Sequence, residues 1–127
     1  MTATMPTSLT PREMSTETGI SLDTLRYYER AGLMPGVERL PNGHRRYGQS
    51  DIEWIRIVQC LRTTGMPIRD IRRYTTLALD GDHTIEERLS LLRVHREEVI
   101  RQMDELKDNL DHLDGKIAWY ESLEGAS

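Results

Sequence analysis

The chain has 127 residues, of which 37% are hydrophobic and 30% charged, with no Phe. It is therefore one small domain, or one small domain with an extension, and a large single core is excluded. The net charge of −4 is unevenly spread: residues 1–82 hold eleven Arg against ten acids, whereas residues 83–127 hold six basic against eleven acidic groups. Arg supplies every cation of the first part, and its planar fork suits bidentate contact with phosphate or guanine.

In chain order, residues 1–9 read as a disordered tail, small and polar without a core pattern. Thr10 can cap a first helix, with Pro11 at the first helical position and Glu13 completing a capping box; Gly19 ends it. A second helix starts at Ser21, carries Asp23 in its favourable first turn, and runs to Ala31 before Gly32. Two helices and a tight turn in about 22 residues have the size of a helix-turn-helix. Met34-Pro35-Gly36 breaks the chain. Val37 to Leu40 and His44 to Tyr47 then flank Pro41-Asn42-Gly43, and Asn-Gly is a strong hairpin signal. This hairpin reads as a wing. Ser50 and Glu53 form a capping box opening a third helix to about Thr64, ended by Gly65. Pro67 begins a fourth helix reaching about Leu79, and Asp80-Gly81-Asp82 breaks it. The first domain accordingly spans residues 10–80.

From Thr84 the pattern changes. Thr84 and Glu87 offer another capping box, and Ile85, Leu89, Leu92, Val99, Met103, Leu106, Leu110, Leu113, Ile117 and Tyr120 recur in steps of four and three, with Arg96 in one slot. This heptad stripe, about 54 Å from Ile85 to Tyr120 at 1.5 Å per residue, predicts a helix over residues 84–121 with a flexible tail at 122–127. The narrow stripe cannot be covered by the small domain before it, and the chain has no second long helix. A second copy is the expected cover, along Leu89, Leu92, Val99, Met103, Leu106, Leu110, Leu113 and Ile117. Gly115 weakens this helix by about 1 kcal/mol relative to Ala; it marks either close approach of another backbone or a tolerated surface position.

The segment LRYYERAGLMP followed by NGHRRY places cationic and flat side chains on elements small enough to enter a groove. It closely resembles the DNA-binding domain of the MerR family of transcription regulators, and the resemblance extends over residues 10–120. Adjacent helical residues point about 100° apart, so one of Tyr27 and Tyr28 should be a core aromatic. Likeness to the family's Arg-aromatic-Tyr-Glu motif implies that Tyr27 is the core residue and that Arg26 and Tyr28 touch DNA, with Leu25 holding the helix to the core. On the wing, alternation puts Arg45 and Tyr47 on one face and His44 and Arg46 on the other. The resemblance implies phosphate contacts by Arg45 and Tyr47; related chains usually carry an aromatic residue where this one has His44. Asp23 and Thr24 sit at the groove-entering end, where Asp23 either accepts from a cytosine amino group or serves as a helix-dipole partner. The expected DNA-binding set is Thr24, Arg26, Tyr28, Arg39, Asn42, His44, Arg45, Arg46 and Tyr47.

Cys60 is the one thiol, which excludes an internal disulfide or a Cys-based zinc cluster within one chain. Among apolar neighbours it reads either as a buried small hydrophobe or as a sensor thiol activated by Arg56 or a helix end. The surrounding WIRIVQCLRTTGMPI followed by YTTL resembles the aldehyde- and electrophile-responsive branch of the same family. Metal-sensing members carry Cys residues near the end of the dimer helix, and this chain has none after Cys60; a drug-binding domain is likewise absent. The four histidines lack metal-ligand spacing, and no catalytic constellation is evident. Neither cofactor, metal nor enzymatic activity is expected.

The fold expected is thus mainly α: a winged helix-turn-helix head with a small β-hairpin wing, then a long dimerisation helix forming an antiparallel coiled coil. The resemblance implies a homodimeric regulator on an inverted-repeat operator, distorting promoter DNA so that RNA polymerase engages it. An alternative is a constitutive architectural or recombination accessory DNA-binding protein without an effector. A third is a coiled-coil adaptor whose basic head meets an acidic protein. No stretch approaches the roughly 20 apolar residues of a membrane span, and MTATMPTSLT lacks a signal pattern, which predicts a cytoplasmic, nucleoid-associated protein.

Overall fold

The computed structural model describes residues 8–34, 38–39, 41–43 and 45–125, with Glu38 and Arg39 described by their backbone. Its order is α1 (Pro11–Thr18), α2 (Leu22–Arg30), β1 (Glu38–Arg39), β2 (Arg45–Arg46), α3 (Gln49–Thr63), α4 (Ile68–Asp80), a 3-10 turn (Asp82–Thr84) and α5 (Ile85–Gly125). The chain divides into two compact units, a head up to Leu89 and a rod from Ser90.

Local chemistry sets most boundaries in the head. The Thr10 hydroxyl accepts from the Glu13 N–H at 3.1 Å and the Glu13 carboxylate accepts from the Thr10 N–H at 2.9 Å, closing the expected capping box. Ser21 caps α2 by accepting from the Thr24 N–H. Helices α2 and α3 end in the same way. The Leu33 N–H reaches the Tyr28 carbonyl and the Gly32 N–H reaches that of Glu29; likewise Met66 bonds Leu61 and Gly65 bonds Arg62. Each is a Schellman motif, and it requires a left-handed residue, supplied by Gly32 at φ 74° and Gly65 at φ 94°.

Two of the expected caps are not those formed. Helix α3 begins two residues earlier than a Ser50 cap allows: the Gly48 N–H donates to the Asp51 carboxylate at 2.8 Å, so Asp51 rather than Glu53 closes the start. Thr84 does not form a box with Glu87. It is buried, and its hydroxyl donates within reach of the Leu77 and Gly81 carbonyls at 2.6 and 2.7 Å while accepting from Arg88. Glu87 instead pairs with Arg73 across from α4 at 3.1 Å. A buried hydroxyl must be satisfied, and the carbonyls freed at the end of α4 outcompete the local cap.

The expected tail of residues 1–9 is also shortened. Leu9 exchanges two backbone hydrogen bonds with Tyr47, at 2.7 and 2.9 Å, and Ser8 receives Arg46. Residues 1–7 lie outside the described residues. At the other end α5 continues to Gly125, four residues beyond the expected limit, because nothing between 121 and 125 breaks a helix. Residues 126–127 are not described.

Helix α1 packs on α2 and α3, and α3 packs on α4. The core consists of Met14, Ile20, Leu25, Tyr28, Leu33, Met34, Tyr47, Ile52, Ile55, Val58, Leu61, Met66, Ile71 and Tyr74. Each fully buried aliphatic side chain contributes roughly 1.5–3 kcal/mol. The C-terminal end of α2 is pinned from α3 and α4. Trp54 Nε1 donates to the Leu33 carbonyl at 2.9 Å, Thr75 donates to the same oxygen at 3.2 Å, and Arg72 donates to the Ala31 carbonyl. Trp54 stacks on Tyr74 with ring centroids 5.2 Å apart. Otherwise orphaned carbonyls at a helix end thereby hold α2 in place.

Among the described residues the rod buries no side chain. Met103, Leu106, Leu110, Leu113, Ile117 and Tyr120 are all exposed, Leu106 at 70%. Arg101 bridges Glu98 and Glu105, and Lys107 pairs with Asp111, on other faces of the same helix. The Arg101 guanidinium holds the Glu98 carboxyl below its ordinary range, while Glu98 and then Glu105 push Arg101 up. A Cβ on Gly115 would meet nothing within 4 Å inside the chain.

Candidate nucleic-acid interface

Helix α2 presents Asp23, Arg26, Tyr27 and Arg30 to solvent and turns Leu25 and Tyr28 into the core. Asp23 and Arg26 pair at 3.6 Å, with Asp23 almost fully exposed, so the pair is a solvated surface contact of about 0–1 kcal/mol. Thr24 is half-buried, and its hydroxyl accepts from Ser21 at 2.9 Å. The assignment of the two tyrosines is reversed: Tyr28 is 4% exposed and Tyr27 is 37% exposed. The reason is periodicity. With Leu25 in the core, the residue three further on shares its face, and that residue is Tyr28. Arg62, from the last turn of α3, lies over both rings, 5.3 Å from the Tyr27 centroid and 5.6 Å from that of Tyr28. It adds a cation–π contact that the sequence reading missed.

The wing is a two-residue antiparallel ladder, with Glu38 opposite Arg46 and Arg39 opposite Arg45. Asn42 and Gly43 lie at its exposed tip. The side chain of Arg39 and all of His44 lie outside the described residues. Alternation does place Arg45 and Tyr47 on one side, but that side turns toward the head. Tyr47 is 1% exposed, a core residue rather than an outward-facing one. Arg45 donates through Nε to Glu29 on α2, with both side chains mostly covered. Arg46 turns the other way and donates twice to Ser8, to its hydroxyl at 2.7 Å and its carbonyl at 2.6 Å. Glu29, Ser8 and Leu9, which fasten the wing, carried no sequence signal, since each acts through a partner sixteen or more residues away.

The exposed Glu13 carboxyl is held below its ordinary value of 4.5, first by the Thr10 backbone N–H and then by the Thr10 hydroxyl; the Arg46 charge adds to the effect. Cys60 is exposed on α3, so the buried-hydrophobe alternative does not hold. Arg56 faces Glu17 at 3.5 Å. Among the described residues no cluster of His, Cys, Asp or Glu could hold a metal ion, and no helix is long and apolar enough to cross a membrane.

This head, with a capped two-helix turn, a wing fastened to its second helix and Arg on both, is matched at residues 9–77 by the description MerR HTH family regulatory protein. Residues 52–116 match a second description, MerR, DNA binding. The chain belongs to the MerR family. An uncharacterized HTH-type transcriptional regulator of Haemophilus influenzae is 46% identical over 103 residues, covering 81% of this chain and 76% of that protein. The HTH-type transcriptional regulator AdhR of Bacillus subtilis is 41% identical over 88 residues, 69% of this chain, which spans 63% of AdhR. Among solved structures, HiNmlR, a MerR family regulator lacking the sensor domain, bound to promoter DNA, has a TM-score of 0.84 at 41% identity over 93% of this chain and 94% of that one. This MerR-family protein is a DNA-binding helix-turn-helix transcription regulator, and no catalytic family is indicated.

Proposed function

We propose that the protein acts as a homodimer on an inverted-repeat operator and controls transcription by deforming promoter DNA, so that RNA polymerase engages both promoter elements. The observation that carries this reading is the apolar stripe of the rod, exposed from Met103 to Ile117, in a chain that also carries a helix-turn-helix head. An antiparallel pairing of two such stripes would hold two heads apart, and two-fold symmetry in the protein matches an inverted repeat in the DNA. The solved complex of HiNmlR with promoter DNA supports the choice of target. Arg26 on α2 and Arg45, Arg46 and Asn42 on the wing are the proposed contacts, with Thr24 at the entering end of α2; Arg39 and His44 belong to the same proposed set. Tyr28 and Tyr47 support this surface from beneath.

Cys60 is the proposed point of induction, a reading that rests on its exposure and on the likeness of its surroundings to the electrophile-responsive branch. An adduct on an exposed thiol can bias a packed element between discrete arrangements. In a reporter strain, Cys60→Ser should retain promoter binding and lose induction by an added aldehyde. A Cys60 that reacts with iodoacetamide only after unfolding, or a Cys60→Ser variant that still responds, would overturn this assignment.

A further inference from the structure

Glu29 sits awkwardly for a DNA-binding surface. It places a carboxylate on the second helix of the helix-turn-helix, next to the wing, where a negative charge by itself weakens association with phosphates. Its partner explains it. The Arg45 Nε donates to Glu29 Oε2, joining β2 to α2 across sixteen residues, with side chains 25% and 22% exposed. Every other ion pair among the described residues has both side chains at least 44% exposed. Exposed pairs hold neither partner in one place; a largely covered, charge-assisted bond does.

The atom that Glu29 takes is equally informative. A guanidinium has five N–H donors in a rigid fork, one on Nε and four on the two Nη atoms. Glu29 binds at Nε, and among the described residues no hydrogen bond involves either Nη of Arg45. The neighbouring Arg46 differs, since its Nε and Nη2 are both committed to Ser8. Arg45 is thus anchored at its root, with its bidentate end unspent. We propose that Glu29 is a positioning residue that pre-orders Arg45 to present its Nη donors to a DNA phosphate. It acts through Arg45 and touches no DNA itself. The ordering cost of a long, rotamer-rich side chain is met in the free protein instead of on binding. The inference rests on the reading of the wing as a phosphate contact.

The test uses the full chain and a duplex selected by the wild-type protein from a random-sequence pool, with affinity measured against salt. Arg45→Ala should weaken binding to selected and unrelated duplexes alike and lower the salt slope by about 1. Glu29→Gln removes a negative charge, so a purely electrostatic role predicts tighter binding. Positioning predicts binding about fivefold weaker with the slope unchanged, and no further loss when Glu29→Gln is added to Arg45→Ala. Tighter or unchanged binding by Glu29→Gln, or losses that multiply in the double variant, would overturn the proposal. If Arg45→Ala leaves affinity and slope intact, the phosphate-contact reading itself fails, and the proposal with it. Should Glu29→Gln not fold, the Arg45 Nε–H proton of the wild-type protein decides by NMR. Protection from solvent exchange is expected, and rapid exchange contradicts the anchor.

Discussion

The head and the rod bury apolar side chains to opposite extents. Among the described residues the head encloses fourteen apolar side chains, with Met14, Leu33, Ile55, Val58 and Ile71 at 0% exposure, and the helical rod encloses none. The difference lies in how the apolar positions are distributed. In the head, four short helices each carry a stripe that meets another stripe of the same chain. In the rod a single stripe runs along one helix, and a lone amphipathic helix has nothing of its own to bury against. Secondary structure here is no guide to self-sufficiency. The head can hold its shape through its own core, whereas the rod's stripe gains stability only from a partner.

The largest expected effect breaks the rod. Replacing Leu106 and Leu110 together by Asp would place two charges in the proposed seam at a cost of several kcal/mol. Sedimentation should then show monomers that bind a selected operator poorly, while the head keeps its cooperative melt. A double variant that remains a dimer would move the interface elsewhere.

A smaller effect sharpens the account of the head. Tyr28→Ala removes a core aromatic and should cost about 3–5 kcal/mol. Tyr27→Ala removes an exposed ring beneath Arg62 and should cost no more than about 1 kcal/mol. Thermal melts of the two variants decide it. Equal losses would mean that the two rings share the core, contrary to their exposures of 4% and 37%.

The smallest effect concerns the first helix. The folded-state pKa of Glu13 lies below its ordinary 4.5 because its carboxylate accepts from Thr10. A depressed carboxylate contributes stability that is present above the unfolded value and is lost as pH falls through the folded one. The Glu13 carboxyl should therefore titrate by NMR below its ordinary value of 4.5. Glu13→Gln should flatten the acid limb of the stability profile by lowering stability at neutral pH while leaving it unchanged at low pH, where Glu13 is protonated in both states. An ordinary titration for Glu13 would mean that the capping box is not kept in solution.

Much of this protein was legible because much of it is local. Thr10 and Glu13, Ser21, Gly32 and Gly65 each act within a few residues of themselves, so sequence alone placed the starts and stops of α1 and α2 and the end of α3. The heptad stripe likewise defined a long helix, and the Arg-rich, Tyr-bearing segment from residue 26 to 47 carried the family. The misread features have different causes. Asp51 caps α3 in place of Glu53 because the helix starts at Gly48, a local outcome three residues away, whereas the buried Thr84 turns to the carbonyls of α4 because buried polar groups are satisfied by whatever the packing brings near. Tyr28 was legible from the period once Leu25 was placed in the core, but Tyr47 and Arg45 were not. Period fixes which residues share a face, but tertiary packing chooses whether that face looks inward or out. Sequence therefore determined the elements, the caps of α1 and α2 and the pairing of residues into faces. Only the folded head decided that Tyr47 lies inside and that Glu29 anchors Arg45, because those outcomes depend on contacts between groups far apart in the chain.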